Sequence, residues 1–92
     1  MAKEIWKYKL PNPLHDGCSR SYEIPDGAVV LSVAEQDSDM QMWVMVDPEK
    51  PLVQRRVDVY GTGMPLSDMQ RRFIGTVVLR SYVWHVFEVF SR

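Results

Sequence analysis

The sequence predicts an all-β domain, a small antiparallel β-sandwich or barrel of about seven strands that takes in residues 1–92 as one unit. Three observations predict it. Apolar and polar side chains alternate with a period of two along most of the chain. Clusters of Pro, Gly, Asp and Ser interrupt that alternation at short, regular intervals. No segment sustains a helical period: Leu66, Met69 and Phe73 allow at most one short helical turn near 65–72, after Pro65. A chain of short antiparallel strands covers its apolar faces by stacking two sheets or by closing one.

The elements follow in order. Trp6, Tyr8 and Leu10 alternate with Lys7 and Lys9, a half-buried strand ended by Pro11 and Pro13. Beyond the loop His15-Asp16-Gly17-Cys18, Tyr22 and Ile24 alternate with Ser21 and Glu23. Pro25-Asp26-Gly27 is a turn in which Pro presets φ at the second position. From Ala28 to Ala34, Val29, Leu31 and Val33 share one face, while Ala28, Ser32 and Ala34 join Val30 on the other, small enough to sit beneath a bulky neighbour. Gln36 to Asp39 is the next reversal. Met40 to Val46 is apolar on one face, Met40, Met42, Val44 and Val46, and partly on the other, Trp43 and Met45, the pattern of a central or interface strand.

Asp47-Pro48-Glu49-Lys50-Pro51 is a rigid turn. In Leu52 to Tyr60, Val53, Val57 and Val59 keep one register and Gln54, Arg56 and Asp58 the other. Arg55 falls among the apolar positions, so the strand carries either a bulge or an inward guanidinium. Alternation stops at Gly61 and resumes from Phe73 to Leu79. Arg80-Ser81 then turns the chain tightly into Tyr82 to Phe90.

Composition narrows the function classes. With 46% hydrophobic and 25% charged residues, the chain is globular rather than disordered. A domain of this length buries roughly 60–65% of its unfolded surface, a thin core that favours a homo-oligomer. Eleven Lys and Arg against 12 Asp and Glu leave a net charge of −1. That balance argues against a nucleic-acid partner, which calls for basic excess, and against a DNA mimic, which calls for acidic excess. A single cysteine, Cys18, excludes an intrachain disulfide. No apolar run has signal-peptide or membrane-spanning length, so the expected compartment is the cytoplasm, with no membrane partner.

Chemistry-bearing groups are few. His15, Asp16 and Cys18 share one short loop, whereas working nucleophile and base converge from separate elements. His15, Cys18 and distant His85 lack the paired spacing of a zinc site, and Asp37 with Asp39 lacks the later ligands of a calcium loop. The reading therefore assigns no catalytic residue, no metal and no cofactor. His85 is expected to be a partly buried histidine satisfied by a backbone carbonyl. Gly61-Thr62-Gly63 follows a strand, and the doublets Arg55-Arg56 and Arg71-Arg72 bracket it in sequence. Glycine loops admit phosphate to backbone N–H groups, and guanidiniums clamp it bidentately, so these residues form a candidate nucleotide or anion site. Met42, Trp43, Met45 and Trp84 form a candidate protein interface, being of the residue types enriched there.

Ile5-Trp6-Lys7-Tyr8, Val46-Asp47-Pro48, Tyr60-Gly61-Thr62-Gly63, Ile74-Gly75-Thr76-Val77 and Trp84-His85-Val86-Phe87-Glu88 together resemble a small β-rich family encoded by tailed phages and prophages, a domain of unknown function. Relatives place histidine after the Gly-Thr-Gly, where this chain has Met64. The resemblance implies three roles by analogy with other small phage proteins. The first is a non-enzymatic interaction protein that inhibits or modulates a host protein, including a defence protein, or a phage protein. The second is a nucleotide-sequestering protein, and the third a minor virion or accessory component.

Overall fold

Alternation becomes seven strands in the structure, a computed structural model that describes residues 2–90. They are β1 (Glu4–Lys9), β2 (Ser19–Pro25), β3 (Val29–Gln36), β4 (Asp39–Val46), β5 (Leu52–Gly61), β6 (Arg71–Leu79) and β7 (Tyr82–Val89). All pairings are antiparallel, in a three-stranded sheet β1-β4-β3 and a four-stranded sheet β2-β5-β7-β6. The two sheets stack as a small β-sandwich. No helix occurs among the described residues, so none is long and apolar enough to cross a membrane.

The core lies between the sheets. Met40, Met42, Val44 and Val46 of β4 face Val57 and Val59 of β5, Val77 and Leu79 of β6, and Trp84 and Val86 of β7, all buried. β4 is central in its sheet, as its two-sided apolarity predicts. At one side of the sandwich the Tyr22 hydroxyl donates to the Lys9 carbonyl at 2.6 Å, and the Tyr8 and Tyr22 rings meet edge to face. Burial pushes the Tyr22 phenol up to about 12, with Arg20 pulling weakly the other way. At the opposite side β3 lies against β6.

Three local expectations are corrected. Register shifts between Val30 and Ser32, so a bulge at Leu31 divides β3: Val30 and Val33 lie opposite the inward-facing Val44 and Met42, while Val29 pairs with Met45. Ser32 and Ala34, the small residues, pair with Trp43 and Gln41 on the outer face. Pro25 is the first turn residue rather than the second: its carbonyl accepts from Ala28 N, and Gly27 takes φ +78° at the third position. Pro65 to Gln70 forms no helical turn, and β6 begins at Arg71 because its ladder with β7 already engages Val89 there.

A glycine fixes the approach of β3 to β6. A Cβ added at Gly75 would lie 2.8 Å from Val33 Cγ2, a stiff β-branched side chain facing inward. Gly75→Ala is therefore expected to destabilise the fold by about 1–3 kcal/mol, measured by urea unfolding. In a Val33→Ala background most of that cost disappears; an unchanged cost refutes the contact as its cause.

Candidate functional site

Strand geometry decides where the four candidate arginines go. Neighbours in a strand point to opposite faces, so Arg55 and Arg56 part company at once. β5 has no bulge against β2 or β7, so Arg55 keeps the inward register of Val57. There it clamps Glu88 of β7: Nε donates to Oε2 and Nη2 to Oε1. Its Nη1 donates to the Ala28 carbonyl at 3.0 Å, beside β3, so one guanidinium ties both sheets together. Arg72, also on the Glu88 face by register, adds Nη2 to Oε1 at 3.2 Å and lies over the Phe90 ring. Glu88 is only 2% exposed.

On the outer face Arg56 holds a second carboxylate, Asp58, which is 0% exposed. Nε and Nη2 of Arg56 donate to its two oxygens at 2.9 and 3.1 Å, Ser19 Oγ donates at 2.7 Å and Tyr60 OH at 2.8 Å. Burial works against the charged Asp58. The hydrogen bonds from Arg56, Ser19 and Tyr60, with the charge of Arg56, outweigh it and hold the carboxyl below its ordinary value. Arg71 bonds the carbonyl and hydroxyl of Ser67, and its guanidinium lies 5.9 Å from the centroids of both Tyr60 and Phe87. Each candidate guanidinium thus has a contact within the fold, although the buried Arg71 Nε has no hydrogen-bond partner.

The glycine loop is separate from Arg55, Arg56 and Arg72, whereas Arg71 lies over Tyr60 and Phe87, which share a cleft with Gly61, Thr62 and Gly63. Gly61 ends β5, six residues beyond Arg55 and about 20 Å along the strand. Two of its amides are committed, Gly61 N to Met64 Sδ at 3.0 Å and Thr62 N to the Val83 carbonyl at 3.3 Å, and Met64 N just beyond donates to the Gly61 carbonyl at 3.1 Å. Gly63 has φ +90° at the tip. Gly61 serves packing, since a Cβ there would meet the Trp84 ring at 3.1 Å. A cleft of about 550 Å³ is lined by Arg55, Arg56 and Glu88, and another of about 510 Å³ by Gly61, Thr62 and Trp84.

Other polar groups are likewise occupied. Thr62 Oγ1 meets His85 Nε2 at 2.8 Å and Thr76 Oγ1 meets Nδ1 at 3.1 Å, so hydroxyls, not a carbonyl, satisfy this imidazole. Cys18 is free and half-buried. No group of three His, Cys, Asp or Glu among the described residues is placed to hold a metal ion.

Of the candidate interface residues, Met42 and Trp84 face inward and fill the core, which removes them from any contact surface. Trp43 and Met45 face outward on the three-stranded sheet and are half-buried. Sequence reasoning missed their neighbours. Ile5, Met45 and Val29 are register partners across β1, β4 and β3, an apolar rung with Ile5 63% and Val29 45% exposed. Leu31, put out of alternation by the bulge, is exposed beside it. The available signal was Ile5, an apolar residue sharing parity with Lys7 and Lys9. At the other end of the same face, Lys7 bonds Gln36 at 2.8 Å and Lys9 pairs with Asp39 at 3.6 Å. One end of the face is polar and internally paired; the other is bare and apolar.

A family model described as a domain of unknown function, DUF7352, matches residues 1–92. The chain belongs to that family. No curated protein and no solved structure matches it. Membership covers the whole domain, from the apolar rung to the Glu88 clamp.

Two predictions follow from the carboxylates. Glu88→Ala leaves the part-buried Arg55 guanidinium without its anion and is expected to cost about 3 kcal/mol in urea unfolding. Arg72→Ala, half in solvent, costs under about 1 kcal/mol. A Glu88→Met, Arg55→Met pair recovers most of the first loss; no recovery overturns the assignment of the cost to an unpaired charge. The depressed Asp58 makes a contribution to stability that is fully present above its unfolded value of 3.8 and is lost as pH falls through its folded value. Asp58→Asn therefore flattens the acid limb of stability against pH, and an unchanged limb refutes the contribution.

Proposed function

We propose that this domain is a non-enzymatic interaction protein that occupies a surface on a partner protein, using the apolar end of its three-stranded sheet. The rung Ile5–Met45–Val29, extended by Leu31 and Trp43, carries this reading. A contiguous apolar patch rimmed by polar residues is the mark of a contact surface, and Trp43 is of a type that dominates binding energy. The polar side adds support. Asp58 accepts four hydrogen bonds, Glu88 is clamped by two arginines and both nitrogens of His85 are engaged. Groups bonded in this way are accounted for by the fold itself.

The resemblance to proteins of tailed phages and prophages supplies the setting. The partner on this reading is a host or phage protein in the host cytoplasm, which the domain inhibits or modulates by occlusion. The nucleotide-sequestering alternative draws less support, because Arg55, Arg56 and Arg72 are held in ion pairs within the fold, away from its loop.

Quantitative affinity capture from host lysate tests the proposal, using wild type beside an Ile5→Lys, Met45→Lys variant. A specific host or phage protein is expected to be retained by wild type and reduced at least about tenfold by the variant. Equal retention, or no specific protein with wild type, counts against it.

A further inference from the structure

Four strand edges border the two sheets: β1 and β3 in one, β2 and β6 in the other. An edge exposes a row of backbone N–H and C=O groups that pairs with another strand unless something blunts it. Three of the four are blunted. β3 is bulged at Leu31 and β6 between Phe73 and Gly75, and these two strands pack against each other along one side of the sandwich. β2 ends in Pro25, which has no N–H, and exposes polar Ser19, Ser21 and Glu23. β1 has neither bulge nor proline, and its six residues keep one register against β4.

Which groups of β1 are open follows from its pairing. Leu10 N donates to the Met40 carbonyl, so Leu10 and, by alternation, Tyr8, Trp6 and Glu4 turn their backbone groups to β4. Ile5, Lys7 and Lys9 turn theirs to the edge. The Lys9 carbonyl accepts from Tyr22 OH at 2.6 Å and from Arg20 Nη1 at 3.4 Å, which closes that end. The open stretch runs from Glu4 to Tyr8. Within it the N–H and C=O groups of Ile5 and Lys7 meet no partner among the described residues, and Ile5 is 63% exposed.

We infer that β1 pairs antiparallel with β1 of a second copy of this chain, about a two-fold axis at Trp6. That axis sets Ile5 opposite Lys7 of the second copy, twice, as hydrogen-bonded pairs, so both open residues are satisfied. Trp6 meets Trp6 of the second copy in the closer, non-hydrogen-bonded position, where aromatic cross-strand pairs stabilise a sheet. Glu4 lies opposite Tyr8. The Lys7 stem covers Ile5 while its ammonium stays in water. At the ends Lys3 faces Lys9, whose charge Asp39 offsets at 3.6 Å. Neither other axis fits. One at Ile5 sets Lys7, bonded only to neutral Gln36, against Lys3. One at Lys7 sets that lysine against itself and needs the Lys9 carbonyl that Tyr22 holds. Like charges directly opposite destabilise. The axis that keeps them out of the open stretch is also the one centred on it, and this self-complementarity selects a second copy as the occupant. The product is a six-stranded sheet whose outer face carries two Ile5–Met45–Val29 rungs. This pairing does not rest on the partner reading above.

Sedimentation equilibrium of the full chain is expected to show a mass that rises with concentration toward twice 10.7 kDa. In a mixture of labelled and unlabelled wild-type chains, an isotope-filtered NOE is expected between the Trp6 Hα atoms of the two copies, because non-hydrogen-bonded pairs bring their Cα atoms to about 4.5 Å. Lys7→Pro removes an edge N–H that the β1–β4 ladder does not use. The variant is expected to keep its far-UV spectrum and to associate at least about tenfold more weakly. Ser21→Pro, the same change on the edge of β2, leaves association unchanged. Lys7→Pro retains Ile5, Met45 and Val29, so a monomeric variant that still captures a host protein tells the two proposals apart. The NOE, read on wild type, decides the matter if the proline variant does not fold. A monomer at every concentration overturns the inference, as does a dimer that lacks the Trp6 contact or that a folded Lys7→Pro variant forms as readily as wild type.

Discussion

The guanidinium of Arg55, held between the Glu88 carboxylate and the Ala28 carbonyl, constrains the sandwich more than any single apolar contact. A carboxylate this deeply buried is costly unless paired, and breaking such a pair costs more than the pair contributes. Its influence is on register. If β5 slipped by one residue against β7, Arg55 would leave the inner face and Glu88 would keep a buried charge without its main partner. Val57, Val59, Val86 and Trp84 enter the core in the same register, so the ion pair and the apolar faces select one alignment. The bond to Ala28 extends that selection to the second sheet.

A second pair does corresponding work on the other side of β5. Arg56 and Asp58 sit two residues apart on the outer face, and Tyr60 and Ser19 complete the cage around the carboxylate. Arg71 lies over Tyr60 and Phe87 nearby, so much of this outer surface is spent on internal bonds. The outer face of the three-stranded sheet differs. Its polar side chains, Lys7, Lys9, Gln36 and Asp39, pair among themselves at one end and leave the rung of Ile5, Met45 and Val29 uncovered. That contrast between a committed face and an uncommitted one is why the contact surface is proposed on β1, β4 and β3.

Much of this was legible in the sequence, for a physical reason. A period of two reports which side of a strand meets the core, so the strands, the two-sided pattern of β4 and the oddity of Arg55 could all be read directly. Partners across the sheets could not. Glu88 reads as a break in an apolar run and Asp58 as one more outward polar residue, because burial depends on what lies opposite. Leu31 misled for a different reason: a bulge shifts parity without any mark in residue type. Met42 and Trp84 carry the composition of an interface, yet composition does not distinguish an inner face from an outer one.

The arginine doublets show how far such a misreading reaches. Two adjacent arginines in a loop or at a helix start can converge on one anion, which is why a doublet beside a glycine loop suggests a phosphate. In a strand the same two side chains diverge by the pleat, one into the core and one out of it. Arg55-Arg56 and Arg71-Arg72 both lie in strands, and each doublet divides: Arg55 and Arg72 meet at Glu88, while Arg56 and Arg71 go to Asp58 and to the Tyr60–Phe87 rings. The bridging partners are therefore second and first members of different doublets, brought together through β7 rather than by sequence adjacency. Charge that looks like an invitation to a ligand is, once the pleat is taken into account, the mortar between strands.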